Sequence, residues 1–316
     1  MRVLVVGATG ALGEPTVRRL VERGHEVFGL TRSESKARGI EALGARPVFG
    51  DVLAETDVKR VVDEVRPEGV AQLLNAIPKR GAIRPKDLDA TNELREVGTR
   101  NLLASVKAHG TPRYVVESMV FGYGYGDSGG ALLTEDAPFG QTVAAEHMNP
   151  ALNALADMEQ QVLQATQRSE VEGVVLRLGL FYGPGVGSTE FMISMLKKRM
   201  MFLPGGGKGQ LSWIHVADGA AAVVDALEKA APGSVYNVVD DEPASFWDMC
   251  AEMGRTLDIG GPKSIPVGVV KIVSSYAATM AATNLRVSNA KIKKELGWMP
   301  QFPTCREGAK DLLAAI

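Results

Sequence analysis

The chain opens on an apolar run. Val3 to Val6 are four consecutive aliphatic residues, mostly β-branched, as in a strand buried on both faces of a parallel sheet. A helical spacing of Val17, Leu20 and Val21 follows, and then a second apolar run at 26–31. The exchange repeats. Strands are predicted near 2–6, 26–31, 46–49, 70–74, 113–117 and 173–177, separated by helices near 14–23, 35–43, 55–65, 86–108 and 151–167. Such alternation implies parallel strands, right-handed crossovers and helices on both faces. The expected class is α/β, a doubly wound (Rossmann) parallel sheet.

After about residue 178 the rhythm changes. A helix at 189–201, a glycine-rich loop from Gly205 to Gly209, a helix at 218–229, a strand at 234–238 and two further helical stretches are predicted. Residues 1–178, rejoined by 212–240, are expected to form the nucleotide-binding domain. Residues 179–211 and 241–316 are expected to form a smaller, interleaved C-terminal substrate lobe.

Between the first strand and the first helix stands Gly7-Ala-Thr-Gly-Ala-Leu-Gly13. Gly7 permits the tight turn, Gly10 permits close approach to a pyrophosphate, and Gly13 permits the helix to pack on the sheet. Thr9, Ala11 and Leu12 complete a loop whose amides and helix N-terminus suit phosphate. The ligand implied is a dinucleotide. Arg32 follows the second strand, where an acidic side chain would bind a ribose 2′-hydroxyl. An arginine favours a 2′-phosphate, with Ser33, Lys36 and Arg38 as nearby donors, so the expected cofactor is NADP(H). A solvated basic helix start is the alternative. Asn75, Ala76 and Ile77 end the fourth strand and should line the ribose and nicotinamide side.

Composition narrows the class. The 316 residues are 45% hydrophobic, with 35 basic against 37 acidic side chains. No basic patch argues for nucleic acid or a membrane surface. The first strand starts at once, so no signal peptide is expected, and the location expected is cytoplasmic. The apolar stretch from Val267 to Ala282 contains Lys271 and two serines and is read as a core or lobe helix. Cys250 and Cys305 suggest neither a disulfide framework nor a metal site.

Further segments carry a resemblance. Asp51–Val52, GTRNLLASVKAHG at 98–110, RLGLFYGPG at 177–185, WIHVADGAAAVVDAL at 213–227, VYNVVDDEP at 235–243 and SNAKIKKELGWMP at 288–300 follow the glycine loop in order. Together they resemble the extended short-chain dehydrogenase/reductase family, which includes nucleotide-sugar epimerases and dehydratases. The resemblance places Asp51 and Val52 against adenine. It also implies a catalytic Tyr and Lys four residues apart on the helix at 151–167, one face toward the nicotinamide. With Glu159 as anchor, those positions hold Ala151 and Leu155. No Lys lies between Lys107 and Lys197, and no Tyr between Tyr125 and Tyr182. The Ser/Thr position after the fifth strand falls on Met119, beside Ser118. The Asn and Arg that grip a nucleotide-sugar are replaced by Leu180 and by Gln210, Leu211 and Ser212.

The chain therefore resembles an atypical member without the usual proton donor. Ser118, Tyr123 and Tyr182 are the candidate catalytic groups, with Tyr125 and His147 weighed beside them. Met119, Leu155, Leu180, Met192 and Met195 are the candidate substrate wall, Met tolerating varied shapes. His215 and Asp218 are read as structural, Asp218 as the N-cap of helix 218–229. The expected function is NADPH-dependent reduction of a carbonyl in a bulky, largely apolar compound, an aromatic or polyketide-like ketone. A non-catalytic NADP-binding sensor and an epimerase or dehydratase with relocated acid–base groups are the alternatives. No metal is expected, and a homodimer is the candidate assembly.

Overall fold

The computed structural model describes residues 1–110, 112–266 and 274–315. The first half alternates as the hydrophobic pattern requires. It runs β1 (Arg2–Val6), α1 (Gly13–Glu22), β2 (Glu26–Thr31), α2 (Glu34–Ala42), β3 (Arg46–Phe49), α3 (Glu55–Val65) and β4 (Gly69–Gln72). The predicted helix at 86–108 is broken into α4 (Asp89–Glu93), a π-helical turn (Leu94–Gly98) and α5 (Thr99–Val106). Then come β5 (Arg113–Met119), β6 (Asp127–Leu133), α6 (Asn149–Gln167) and β7 (Glu172–Leu178). The second half holds β8 (Leu180–Tyr182), α7 (Gly187–Lys197), β9 (Phe202–Pro204), β10 (Gln210–Leu211), β11 (Trp213–His215), α8 (Val216–Lys229) and β12 (Val235–Val238).

Seven strands form one parallel sheet in the order β12-β7-β5-β4-β1-β2-β3. The fold is a Rossmann-type α/β sheet. Its order reverses between β1 and β4, and a crevice opens there at the carboxyl ends of the strands. Side-chain alternation along β1 feeds both faces. Leu4 and Val6 pack with Val58, Val62 and Leu102, while Val3 and Val5 pack with Val17, Leu20 and Leu227. Val3 through Val6 are fully buried.

The strand predicted at 234–238 returns to the main sheet, pairing with β7. A smaller sheet joins β10 and β6 with Ala244–Ser245 and Asn284–Val287. β6 and these short strands carry no clear alternation, so the sequence pattern passed over them. Asp218 does not cap α8: the helix starts two residues earlier, and the His215 side chain accepts from the Ala217 amide. Asp218 instead accepts from the amides of Gln301 (2.8 Å) and Phe302 (2.9 Å) and ties down the C-terminal loop. Of the stretch read as a helix from 267 to 282, residues 267–273 lie outside the described residues, and Ser275–Ala282 is a helix. Among the described residues no helix is long and apolar enough to cross a membrane.

Candidate active site

A cleft of about 910 Å³ opens at the switch between β1 and β4. One wall is the glycine turn. Gly7 sits at φ +98°, where a Cβ would collide with the Leu73 carbonyl. A Cβ on Gly13 would strike the Gly7 carbonyl, so α1 rests directly on the turn, and Gly13 supports the cleft from behind without lining it. Gly10 differs. A Cβ there would meet only the Gly7 oxygen, at 3.2 Å, and otherwise enter open space. The residue lines the cleft, and no side chain caps α1 behind it. An uncapped helix start beside a bare backbone suits a pyrophosphate.

Thr9, Ala11 and Leu12 line the same wall, and Arg32, Ser33, Lys36, Asp51 and Val52 line the next stretch. Arg38 is exposed outside it. The Arg32 side chain is 71% exposed and reaches Asp51 Oδ2 at 3.2 Å. Asp51 is held in turn by the Leu53 amide on its Oδ1 (3.0 Å). Asn75, Ala76 and Ile77 continue the lining beyond β4. Asn75 Oδ1 accepts from the Ile77 amide (2.7 Å), and the Ala76 amide donates to Thr91 Oγ1 (3.0 Å), so this turn is rigid.

Toward the inner end the lining becomes apolar: Met119, Ala151, Leu155, Leu180 and Phe181. Ala151 and Leu155 share one face of α6, and both reach the cleft. Met192 and Met195 do not line it. Met192 is buried against Cys250, sulfur to sulfur 3.9 Å, so this part of the expected substrate wall belongs to the core between α7 and the helix Phe246–Thr256.

The three candidate proton donors are a further correction, because none of them lines the cleft. Ser118 is fully buried and donates to Glu159 Oε1 at 2.5 Å. Glu159 is paired with Arg177 at 2.8 Å, and these two side chains are 5% and 7% exposed. Tyr123 joins the same network, accepting from Arg177 Nη1 (2.9 Å) and donating to Asn237 Oδ1 (2.7 Å). Tyr182 donates to Asp240 Oδ2 (2.8 Å) inside the core. Burial pushes both phenols above their ordinary pKa, and the Asp240 carboxyl beside Tyr182 adds to the shift. On a strand, neighbours face opposite sides: Met119 reaches the cleft and Ser118 turns to α6. His147 sits half-buried beside Thr279, outside the cleft.

Tyr125, weighed beside those candidates, does line the cleft and stacks on Phe121 at 5.3 Å. Arg95, Glu117 and Tyr276, which the sequence pattern did not single out, line it too. Glu117 could have been found from alternation, since it lies two residues before Met119 on β5. Arg95 could not, because a regular helix was assumed where the π-helical turn lies.

The family model described as NAD dependent epimerase/dehydratase matches residues 3–239. The chain belongs to the NAD-dependent epimerase/dehydratase family. It is 34% identical over 311 residues to a 3-diazoavenalumate denitrifying reductase of a Streptomyces species, covering 98% of this chain and 99% of that one. It is 28% identical to a 2-alkyl-3-oxoalkanoate reductase of Stenotrophomonas maltophilia, covering 83% and 77% of the two chains. Its fold is that of the human epimerase family protein SDR39U1, solved with NADPH, at a TM-score of 0.77 and 21% identity over the full length of both. Among the described residues no cluster of three or more His, Cys, Asp or Glu side chains is arranged to hold a metal ion.

Proposed function

We propose that this chain is an NADPH-dependent reductase acting on a carbonyl in a bulky, largely apolar small molecule, such as an aromatic or polyketide-like ketone. The observation that carries the reading is the continuity of one cleft from the bare Gly10 backbone to an apolar inner wall. The residues present fit a dinucleotide. Gly7, Thr9, Gly10, Ala11 and Leu12 would hold the phosphates, and Arg32 and Ser33 a 2′-phosphate. Asp51 and Val52 would flank adenine, and Asn75, Ala76 and Ile77 the ribose and nicotinamide. NADPH supplies hydride when bound. Met119, Leu155, Leu180 and Phe181 exclude water and orient the acceptor.

The two relatives named as reductases support a reductase over an epimerase. With Ala151 and Leu155 where the resemblance implies Tyr and Lys, proton delivery differs from the usual scheme. That difference and the diazo-named relative favour a second reading, a diazo compound as acceptor. Hydride plus an aryl diazonium gives an aryl diazene, which loses N₂ and leaves a C–H bond. The charges balance without a protein proton.

The test is fluorescence titration with NADPH and NADH, followed by NADPH oxidation with aryl ketones, oxo acids and aryl diazonium compounds. Tight NADPH binding and ketone-dependent oxidation are expected. N₂ release with a diazo substrate alone selects the second reading. Tight cofactor binding with no turnover of any acceptor supports a sensor and refutes both.

A further inference from the structure

The cleft also carries charge that the dinucleotide loops do not use. Arg95 lies in the π-helical turn Leu94–Gly98, is only 7% exposed, and lines the cleft. Single π turns inside α-helices concentrate at functional sites. Among the described residues its side chain makes one hydrogen bond, a long one of 3.4 Å to Asn92 Oδ1, and no ion pair. Glu117 on β5 is 9% exposed, lines the same space, and makes no side-chain hydrogen bond or ion pair to a described residue. The sealed, unpartnered side-chain polar atoms of the described residues lie on His215, Asn237 and Asn284. Arg95 and Glu117 are not among them, and both line the cleft.

Withdrawing a guanidinium from water is costly unless an anion pairs with it. Here no described residue supplies one within ion-pair distance. A guanidinium fork held at a cleft wall matches a carboxylate bidentately. A neighbouring carboxyl group disfavours a dianion such as phosphate and suits a monoanion, to which its protonated form can donate. Tyr125 and Tyr276 place two phenols in the same lining.

We propose that Arg95 and Glu117 form an acid-binding subsite, in which Arg95 pairs with a carboxylate carried by the substrate and the Glu117 carboxyl hydrogen-bonds to it. This rests on the reading that the cleft takes a small-molecule substrate, and it narrows that substrate to an organic acid.

Protonation of Glu117 gives the subsite a pH signature. Burial pushes the Glu117 pKa up to about 7, and the Arg95 charge opposes that shift. Burial also pulls Arg95 down, with Glu117, Tyr125 and Tyr276 opposing. Glu117 faces the cleft from β5, Arg95 from the π-helical turn, Tyr125 from the loop after β5 and Tyr276 from the helix Ser275–Ala282, and Lys79 and Glu190 line the same cleft. From α6 the cleft side shows Ala151 and Leu155, while Glu159 on α6 and Arg177 on β7 face each other on the Ser118 side. A bound carboxylate favours the protonated form of Glu117. Its affinity is therefore full below pH 7 and falls as pH rises above 7.

Cinnamate and its methyl ester are the probes, titrated calorimetrically into the NADPH-saturated protein. At pH 6.5 cinnamate is expected to bind at least about 10-fold more tightly than the ester, since a hydrogen bond to a charged group is worth a decade or more of affinity. Arg95→Met should abolish the preference and leave NADPH affinity within about twofold. Glu117→Gln should keep the preference at pH 8.5, where the unmodified protein loses it. Equal binding of acid and ester, no binding of either, or a preference that survives Arg95→Met overturns the proposal. Should Arg95→Met fail to fold, the acid–ester comparison and the Glu117→Gln pH profile decide. Should NADPH itself not bind, the cofactor reading fails, and the same probes titrated into the free protein still test the subsite.

Discussion

Glu159→Ala separates the buried network from the chemistry. Glu159 accepts from Arg177 Nε at 3.1 and 3.2 Å and from Nη2 at 2.8 Å, and from Ser118 at 2.5 Å. Without the carboxylate, Arg177 keeps among the described residues two hydrogen bonds, to Tyr123 Oη (2.9 Å) and the Glu135 carbonyl (3.4 Å), and its stacking on the Phe139 ring (3.7 Å), but no anion. A guanidinium left unpaired at 7% exposure destabilises by roughly 3–5 kcal/mol. At about 2.1 cal/mol/K per residue, the 316-residue chain has an unfolding entropy of roughly 0.7 kcal/mol/K, so Tm should fall by roughly 5–8 °C. Ser118→Ala removes one charge-assisted bond, worth about 1.5–3 kcal/mol, and Tm should fall by roughly 2–4 °C. Differential scanning calorimetry reads both. The companion assay is turnover of the Ser118→Ala protein below its transition. Ser118 does not reach the cleft, so the rate should drop by far less than the ~10²-fold that loss of a general acid brings. An unchanged Tm for Glu159→Ala, or a stable Ser118→Ala protein that has lost more than ~10²-fold in rate, would refute this assignment.

Gly10→Val puts a branched side chain into the cleft at a position without a left-handed φ, where the Cβ presses on one backbone oxygen at 3.2 Å. NADPH binding should vanish by fluorescence titration while Tm stays within a few degrees, and retained affinity would put the dinucleotide elsewhere. Arg32→Ala should weaken NADPH by about 1–2 kcal/mol, the low end for a charge-assisted contact because the side chain is largely exposed, and leave NADH nearly unchanged. Equal losses for both cofactors would remove Arg32 from the 2′-phosphate. Buried Asp240 has its pKa raised to about 8, chiefly by burial, so the folded state keeps a proton that the unfolded chain releases above about pH 4. Its contribution to stability is full below the unfolded pKa and is lost as pH rises toward 8, about 2–3 kcal/mol of that between pH 6 and 8. Asp240→Asn should flatten this alkaline decline in urea unfolding, and a parallel pH profile would contradict it. His215, lowered to about 4 by burial, acts oppositely and removes stability as pH falls from 6.5 to 4.

The parts of the molecule that repeat a period were readable in advance. The β1–α1 unit, the glycine turn and the central strands follow from apolar runs and helical spacing. The family resemblance, anchored on Glu159, implied that Ala151 and Leu155 face the cleft, and their spacing of four gave them one face of α6; both line it. The proton-donor candidates failed because a hydroxyl in the right neighbourhood says nothing about facing. Ser118 and Met119 are adjacent, and strand alternation sends them to opposite sides. Met192 has the composition of a pocket residue, but its partner Cys250 lies 58 residues away. Arg95 was hidden by a π-helical turn that no local pattern announces. Tyr276 joins Arg95 and Glu117 in the cleft lining only through the tertiary fold.

If hydride passes from NADPH bound in this cleft to a small-molecule acceptor, the hydrogen can be followed as an isotope. Mass spectrometry of the product from an aryl ketone bearing a carboxylate, reduced with NADPH in which both hydrogens at nicotinamide C4 are deuterium, reads this transfer directly. One deuterium at the reduced carbon is expected for each NADPH consumed. Conversion of the substrate with no deuterium gained and no NADPH consumed would contradict it.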